Sequence, residues 1–276
     1  MLRNILYKIV ARFKSALFNL KIFISPNKRF IYTLNNGDRF YLCDDEISRS
    51  IYVYNDFENV NRAYWDGLIV PGMTVLDIGA NWGVYSVAAR RLMGVSGMLI
   101  SFEPNLDEFN KLKDNIKLNK FNDQNVTLIN SAVGDIKGEA KFYIPPSFKG
   151  AYGSMGRPKI EEDCKEVNVP VVTIDETLSD LDIRQVDVIK VDVEGAEIKV
   201  LQGMRRTLVE RSPTVLMEVS DKRTNVFGYK ANELCKFLMD IGYNLYLPVI
   251  KNKTISLESY KPQEHIKYID IIAKKD

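Results

Sequence analysis

Residues 75 to 83 read Val-Leu-Asp-Ile-Gly-Ala-Asn-Trp-Gly and combine an apolar run, an acidic residue and a turn with two glycines. Such a segment is typical of a buried strand that ends in a tight loop before a helix. A second apolar run, 98–102, ends in Glu103, twenty-four positions after Gly79. Two strand ends, a glycine turn and a carboxylate predict one half of a nucleotide-binding fold.

The alternation of apolar runs and helical patterns continues after Pro71-Gly72. It predicts strands at 75–78, 98–102, 126–129, 186–191 and 214–219, and helices at 84–92, 106–118 and 196–210. A further helix is predicted at 231–241, with strands near 244–249 and 268–273. Such alternation predicts an α/β fold whose mostly parallel sheet is covered on both faces.

Three regions of different character are expected along the chain. Residues 1–28 are predicted to be a basic amphipathic helix, 29–70 a hairpin and cap region, and 71–276 the cofactor-binding domain. A β-hairpin insert at 138–172 is predicted within this domain. Because loops above the carboxyl ends of parallel strands shape ligand pockets, the insert is either a lid or an extension of the sheet.

The bulk composition is that of an ordinary globular protein. The chain has 276 residues, of which 46% are hydrophobic and 27% are charged, and this length allows a sizeable core. Cys43, Cys164 and Cys235 are widely spaced and form no C-x-x-C pair. Neither a disulfide framework nor a zinc site is indicated, and a cytoplasmic location is expected.

The amino-terminal segment is basic. The first 37 residues carry seven basic side chains and no acidic one, so of the net charge of +2 the rest of the chain holds −5. On a helix the following apolar residues share one face: Leu2, Ile5, Leu6, Ile9, Val10, Phe13, Leu17 and Leu20. Charges interrupt this run too often for a signal peptide or a spanning helix.

Residues 1–24 therefore have two expected partners. The helix either docks on its own domain or on a second copy of the chain, or it contacts an anionic membrane surface. It lacks the dense basic clusters and interleaved aromatic side chains that follow a phosphate backbone. We expect no nucleic-acid partner.

The glycine turn favours one cofactor. Its spacing from Gly79 is G-x-x-x-G, which differs from the G-x-G-x-x-G of dinucleotide sites. The Asp77 carboxylate would repel a pyrophosphate but suits a cofactor that carries an ammonium group. S-adenosylmethionine offers an ammonium for Asp77, a carboxylate for the helix amides and ribose hydroxyls for Glu103. A nicotinamide-dependent oxidoreductase is an alternative, since Glu103 alone would permit it.

Four segments of the sequence resemble the FkbM family of S-adenosylmethionine-dependent methyltransferases. Besides residues 75–83 they are Ser-Phe-Glu-Pro-Asn at 101–105, Ser-Ala-Val-Gly-Asp at 131–135 and Ile-Lys-Val-Asp-Val-Glu-Gly-Ala-Glu at 189–197. The last motif, which is followed by Val200, Leu201 and Gly203, is the most selective, and the resemblance covers about residues 30 to 250. It implies the class I, Rossmann-like methyltransferase fold, a seven-stranded, mostly parallel sheet with an antiparallel last strand.

The resemblance also implies a function. Members of the family mostly methylate hydroxyl oxygens of sugars, polyketides and related metabolites, so we expect an O-methyltransferase that acts on a glycan or a secondary metabolite. A module that binds the cofactor without turnover is an alternative. The expected cofactor-binding residues, with Ala132 and Asp135 near the adenine, are Asp77, Gly79, Ala80, Asn81, Gly83, Tyr85, Glu103, Pro104, Asn105, Ala132, Val133 and Asp135.

Proton removal is the expected task of two carboxylates. An alcohol attacks a methyl group more readily when a carboxylate or imidazole takes its proton. Asp192 ends the fourth predicted strand and Glu194 follows on the same turn, where ligands of open α/β sheets bind. The pair either serves as base and orienting group, or holds a divalent ion such as Mg²⁺ or Ca²⁺. The one histidine, His265, lies outside the matching motifs and is not expected to be the base.

Three more charged residues near these strand ends have simpler expected roles. Glu197 is expected in the first turn of the next helix, where it complements the helix dipole. Lys190 is expected to pair with a carboxylate at a strand end. Glu218, at the end of the fifth strand, is expected either to face the substrate or to pair with a base.

Overall fold

The computed structural model of the protein describes residues 2–55, 57–121, 123–145, 153–157, 163–251 and 254–275. The amino-terminal elements are α1 (Leu2–Ile24), β1 (Arg29–Thr33), β2 (Arg39–Cys43), α2 (Glu46–Tyr54) and α3 (Asn59–Leu68). The strands β1 and β2 pair antiparallel as the expected hairpin. The helix α2 begins at a side-chain cap, because the Asp45 carboxylate accepts the Ser48 backbone N–H at 2.7 Å.

The remaining elements follow in chain order. They are β3 (Thr74–Ile78), α4 (Val84–Met93), β4 (Met98–Phe102), α5 (Leu106–Leu118), β5 (Val126–Ile129), β6 (Ala132–Val133), β7 (Gly138–Ile144), β8 (Lys165–Val172), α6 (Ile174–Asp180), β9 (Val188–Val191), α7 (Glu197–Gly203), α8 (Arg205–Glu210), β10 (Thr214–Val219), α9 (Asp221–Thr224), α10 (Ala231–Asp240), β11 (Asn244–Lys251), β12 (Thr254–Ser259) and β13 (Ile269–Lys274).

The central sheet has the strand order β12-β11-β13-β10-β9-β3-β4-β5. The five strands from β10 to β5 are parallel, whereas β13 is antiparallel to both β10 and β11. The expected class I methyltransferase fold with its antiparallel last strand is confirmed. The sheet described here has eight strands rather than seven, because β12 adds an edge strand beside β11.

Side chains on alternate strand positions enter two separate cores. On one face Leu76 and Ile78 pack with residues of α7 and α10, and on the other face Val75 packs with residues of α4 and α5. Two covered faces explain why the strands are apolar throughout instead of alternating. The second core continues into the cap region, where Trp65 is fully buried. Residues on both sides of the expected boundary at 70/71 therefore share one core.

Two predicted elements differ from the structure. The helix expected at 196–210 is broken into α7 and α8 at Met204, which has φ −122° and ψ 19°. The break lies where α7 packs closely on another backbone, since a Cβ on Gly203 would lie 1.9 Å from the Gly134 carbonyl oxygen. The insert contains the expected antiparallel pair, β7 and β8, but these strands join β6 in a separate three-stranded sheet. They do not extend the central sheet, and much of the predicted tip lies outside the described residues.

The helix α1 uses a different face from the one expected to dock. Phe18 and Ile22 are buried against the protein, whereas Ile9, Phe13 and Leu20 on the predicted apolar face are exposed. The side chains of Leu2, Ile5 and Leu6 lie outside the described residues. Among the helices that the structure describes, none combines the length and the apolar character needed to cross a bilayer.

Candidate functional site

A cleft of about 1120 Å³, which includes open solvent, lies at the carboxyl ends of the parallel strands. Its floor is formed by the turn after β3 and by the ends of β4, β9 and β10, and its upper walls by the cap and the insert. This is the position at which open α/β sheets bind ligands. The glycine turn expected to bind the cofactor and the carboxylates expected to act on the acceptor line this one cleft.

The glycine turn after β3 is in direct backbone contact with the turn after β9. Gly79 has φ 81°, and a Cβ there would lie 1.8 Å from the Asp192 carbonyl oxygen. Both features require glycine, because another residue would be strained at this φ and would displace the neighbouring strand end. The backbone of the protein therefore requires glycine at position 79, independently of any ligand. The contact places the expected cofactor turn beside the expected catalytic residue.

Glu103, at the end of β4, is buried and is held by backbone groups. Its two carboxylate oxygens accept the N–H groups of Asn81 and Asn105, each at 2.8 Å. Burial raises the pKa of Glu103 to about 8. Each oxygen keeps a second lone pair that can accept a hydrogen bond from a ribose hydroxyl, so the residue fits its expected role.

Asp77 lies beneath the cleft and outside its walls. One of its carboxylate oxygens accepts the Ser86 hydroxyl at 2.6 Å. Its other oxygen, Oδ1, is buried and has no hydrogen-bond partner among the described residues. Burial raises the pKa of Asp77. An unpartnered carboxylate oxygen behind the glycine turn fits a cofactor that brings an ammonium group, and direct contact with that group stays a prediction.

The other expected cofactor residues divide into two groups. Those that line the cleft, together with Gly79 and Glu103, are Ala80, Asn81, Tyr85, Pro104, Ala132 and Val133. Gly83, Asn105 and Asp135 are not among the lining residues. A Cβ on Gly83 would meet Leu112, the Asn105 side chain caps α5 by accepting the Asp107 N–H, and Asp135 is exposed. The motif residues Gly83 and Asn105 thus support the cleft from behind.

Asp192 is the ionised carboxylate of the site. Its Oδ2 accepts the Lys190 ammonium at 3.0 Å, and the Arg223 guanidinium lies 3.7 Å from Oδ1. Burial alone would raise its pKa, but the two cations hold the pKa of Asp192 below its ordinary value. The predicted pairing of Lys190 with a carboxylate at a strand end is confirmed.

Glu194 and Glu218 are shifted in the opposite direction. Both contact Arg223, and the Glu194 carboxylate lies 2.8 Å from the guanidinium. Burial, together with the negative charge of Asp192, raises the pKa of Glu194 well above its ordinary value and that of Glu218 to about 8. At neutral pH Asp192 is therefore charged and Glu218 is mostly protonated, while the environment of Glu194 favours its protonated form. Adjacent carboxyl groups with separated pKa values can serve as proton acceptor and hydrogen-bond donor.

The arrangement does not suit a divalent ion between Asp192 and Glu194. The Arg223 guanidinium contacts both carboxylates, and it takes the position at which a metal would bridge them. Among the described residues, no three acidic, histidine or cysteine side chains form a group that could hold a metal. The metal alternative considered from the sequence thus does not fit these side chains.

The cap and the carboxyl terminus add residues that the sequence did not indicate. Glu58 accepts the Tyr85 hydroxyl at 2.5 Å, and the Tyr85 ring lies 4.6 Å from the Lys190 ammonium. The Tyr268 hydroxyl donates to Glu218 at 3.2 Å. These residues reach the cleft from distant segments, and they belong to no recognised motif. A positive φ at Glu58 has no signal in the sequence.

Glu197 and His265 take no part in the proposed chemistry of the cleft, as expected from the sequence. Glu197 is in the first turn of α7, where its carboxylate accepts the Gly195 backbone N–H at 2.9 Å. His265 is 78% exposed and does not line the cleft. Neither residue is therefore a candidate base.

The insert contacts the catalytic turn directly. Phe142, Gly153 and Met155 line the cleft. The Ser154 hydroxyl donates to the Glu194 carbonyl oxygen at 2.8 Å, and Ser154 also pairs with Tyr143 through the backbone. The insert therefore forms a wall above the cleft, as a lid would, and its movement stays a prediction.

Comparison with known proteins gives one family and one curated relative. A family model described as the methyltransferase FkbM domain matches residues 77–245. The AMB antimetabolite synthetase AmbE of Pseudomonas aeruginosa is 25% identical over 236 residues, which are 72% of this chain. The match covers 11% of that protein, so the chain spans about a ninth of its length.

Solved structures of similar fold include two methyltransferases. The methyltransferase FkbM from Methylobacillus flagellatus KT is 15% identical, with a TM-score of 0.43, and the match covers 84% of this chain and 56% of that one. The precorrin-6y C5,15-methyltransferase from Geobacter metallireducens GS-15 is 19% identical, with a TM-score of 0.44, over 79% and 89% of the two chains.

Proposed function

This chain belongs to the FkbM family of methyltransferases, and from that membership we propose that it methylates a hydroxyl oxygen of a sugar, a glycan or a secondary metabolite. The family implies S-adenosylmethionine as the cofactor, in place of the nicotinamide that Glu103 alone would permit. When bound, this cofactor supplies an electrophilic methyl group on a sulfonium. The observation that carries the proposal is the ionised Asp192 in backbone contact with the glycine turn.

In this proposal Asp192 accepts the proton of the acceptor hydroxyl. Its carboxylate is kept charged by Lys190 and Arg223, and it is accessible from the cleft, with 27% of the side chain exposed. Glu218, which is mostly protonated at neutral pH, can donate a hydrogen bond to another oxygen of the acceptor, and Glu194 can do so in its protonated form. The three carboxyl groups on Arg223 thus take different roles because their environments differ.

The charges in the cleft favour an uncharged acceptor. Among the described residues, five acidic side chains and two basic ones line it. The two basic ones, Lys190 and Arg223, are already in contact with carboxylates. Because both cations are already in contact with carboxylates, a phosphate backbone would meet little available positive charge there, whereas a hydroxyl group can donate to the ionised Asp192. This argues for a hydroxyl-rich acceptor and against a nucleic acid.

The secondary-metabolite form of the proposal has separate support. The curated relative is an antimetabolite synthetase by name, and this chain resembles only a small segment of it.

The cysteines Cys43, Cys164 and Cys235 are free, which fits a reducing compartment. We therefore propose that the enzyme acts in the cytoplasm.

The test is label transfer from S-adenosylmethionine to pools of glycans and metabolites, with and without a chelator. We expect transfer that the chelator does not reduce, since the side chains do not fit a metal. If calorimetry detects no binding of S-adenosylmethionine and no pool is labelled, the proposal fails.

A variant tests the role of Asp192. We expect Asp192→Asn to reduce transfer by about 100-fold or more, because it removes the proton acceptor. The dissociation constant of the cofactor should stay within about tenfold. Asp240→Asn, at an exposed position in α10 outside the cleft, is the matched control and should keep full activity. A fully active Asp192→Asn protein would remove this residue from the proposed role.

A further inference from the structure

The helix α1 is fixed to the protein by one face. The Phe18 ring is fully buried and lies 5.9 Å from Phe30 and 5.7 Å from Tyr52, measured between ring centroids. Ile22, one turn later, is 6% exposed. Phe18 and Ile22 are four residues apart, so they lie on the same side of the helix. This side is the docked face.

Polar contacts fix the rotation of the helix about its axis. The Lys14 ammonium donates to the Val53 carbonyl oxygen at 3.0 Å. The Arg49 guanidinium donates to the Ser15 hydroxyl at 3.0 Å and to the Asn19 side chain at 2.7 Å. Because these contacts bracket the docked face, the opposite face is directed away from the protein.

That opposite face is apolar and exposed. Ile9, Phe13, Leu20 and Ile24 follow one another at helical spacing and are 57%, 70%, 53% and 68% exposed. Val10 beside them is 45% exposed. We call these five residues the outer face of α1. An apolar face of this length on a single helix is typical of an interaction surface.

The charges beside the outer face identify its partner. Lys8 and Arg12 are exposed and lie along one edge of the outer face. The ammonium groups of Lys14 and Lys21 instead contact the docked side, at the Val53 carbonyl oxygen and at the Phe30 and Tyr52 rings. No acidic residue occurs in the first 37 positions, so a second copy of α1 packed on the outer face would bring no acid to Lys8 and Arg12. An anionic bilayer supplies apolar chains for the face and phosphate groups for Lys8 and Arg12.

We propose that α1 lies on an anionic membrane surface and inserts its outer face into the boundary between headgroups and acyl chains. Lys8 and Arg12 then reach the lipid phosphates while their stems stay on the apolar boundary. The docked face holds the catalytic domain against this helix. The enzyme is thereby held at a membrane without crossing it.

Sedimentation of the full chain with lipid vesicles tests the proposal. We expect binding to vesicles of phosphatidylcholine with phosphatidylglycerol, weaker binding to phosphatidylcholine alone, and release as salt increases. The double variant Phe13→Ser with Leu20→Ser should lower the partition coefficient by about tenfold or more. The matched control is Val95→Ser with Ile136→Ser, at positions 78% and 75% exposed on other segments.

Cofactor binding by calorimetry should be the same in wild type and both variants, which verifies folding and keeps this test independent of the acceptor. Equal vesicle binding by wild type and the Phe13→Ser, Leu20→Ser variant would overturn the proposal. So would a wild-type chain that does not bind anionic vesicles. A concentration-dependent dimer in light scattering, absent in that variant and unaccompanied by vesicle binding, would assign the outer face to a second copy instead.

Discussion

Gly79 is constrained twice, by its positive φ and by the Asp192 carbonyl oxygen beside it. We expect Gly79→Ala to lower the melting temperature and to weaken cofactor binding, because the new Cβ must push the two turns apart. Gly37→Ala is the matched control, since Gly37 has a similar φ of 92° but no atom near its Cβ position. The control should cost only the backbone strain, about 1–2 kcal/mol. Equal melting temperatures for the two variants would contradict the interpretation.

The raised pKa of Glu103 makes stability depend on pH. Its pKa is raised from 4.5 to about 8 by burial, so the folded state holds a proton that the unfolded state releases. This contribution is fully present below the unfolded pKa and is lost as pH rises through about 8. Glu218 acts in the same direction. We therefore expect the cofactor-free protein to become less stable from about pH 5 to about pH 9.

Thermal unfolding of wild type and Glu103→Gln across that pH range tests this effect. The glutamine does not titrate, so the variant should lose stability less steeply than the wild type as pH rises. Its absolute stability should also change, since an amide replaces one of the oxygens that accept backbone N–H groups. Parallel curves for the two proteins would show that Glu103 does not carry the proton.

The sequence predicts the site residues that lie in motifs at strand ends, but it does not predict the residues that other segments bring to the same place. Asp192 and Glu194 could be predicted because a short motif ends a buried strand, and strand ends meet at one edge of a sheet. Arg223 lies in α9, and its contact with both carboxylates depends on how that short helix packs. Glu58 comes from the cap, whose packing on the cleft leaves no periodic signal.

At the scale of elements, the insert is coupled to the catalytic turn through Ser154. We expect Ser154→Ala to raise the KM for the acceptor by about two- to tenfold, because it removes the hydrogen bond to the Glu194 carbonyl. The dissociation constant of the cofactor should not change, since Ser154 does not touch the glycine turn. Ser179→Ala on the exposed side of α6 is the matched control. An unchanged KM in the Ser154→Ala protein would separate the insert from acceptor binding.

Elements were predictable where burial on two faces produced a long apolar run. The strands β4 and β10, which are buried at almost every position, have the predicted bounds for this reason. The edge strand β12 is short and half polar, with its pairing to β11 supplied by the fold. The break between α7 and α8 arises from contact with a distant backbone, so no local pattern marks it.

At the scale of the whole molecule, a buried ion-pair network joins the hairpin, the cap and the catalytic domain. The Asp38 carboxylate is fully buried and accepts Arg62 of α3 at 2.8 Å and Arg91 of α4 at 2.7 Å. Both arginines also contact Asp66. Since the network crosses the boundary at 70/71, we expect the cap and the catalytic domain to unfold in a single transition.

Asp38→Asn tests this connection. Removing one partner of a buried pair leaves uncompensated charge, so we expect a loss of about 3 kcal/mol or more in the free energy of unfolding. Asp182→Asn is the matched control, because Asp182 and Arg184 form an exposed pair worth about 0–1 kcal/mol. Urea unfolding followed by fluorescence measures both. Similar losses in the two variants would mean that the network does not stabilise the junction.

The backbone contact between the turns after β3 and β9 also limits how the protein can evolve or be engineered. The path of the chain at 192–193 leaves no room for a side chain at position 79, so neither turn can change shape alone. A chimera that imports a foreign cofactor turn should need the matching turn after β9 from the same donor. During evolution, a change in one of the two turns should be accompanied by a change in the other, although more than a hundred residues separate them.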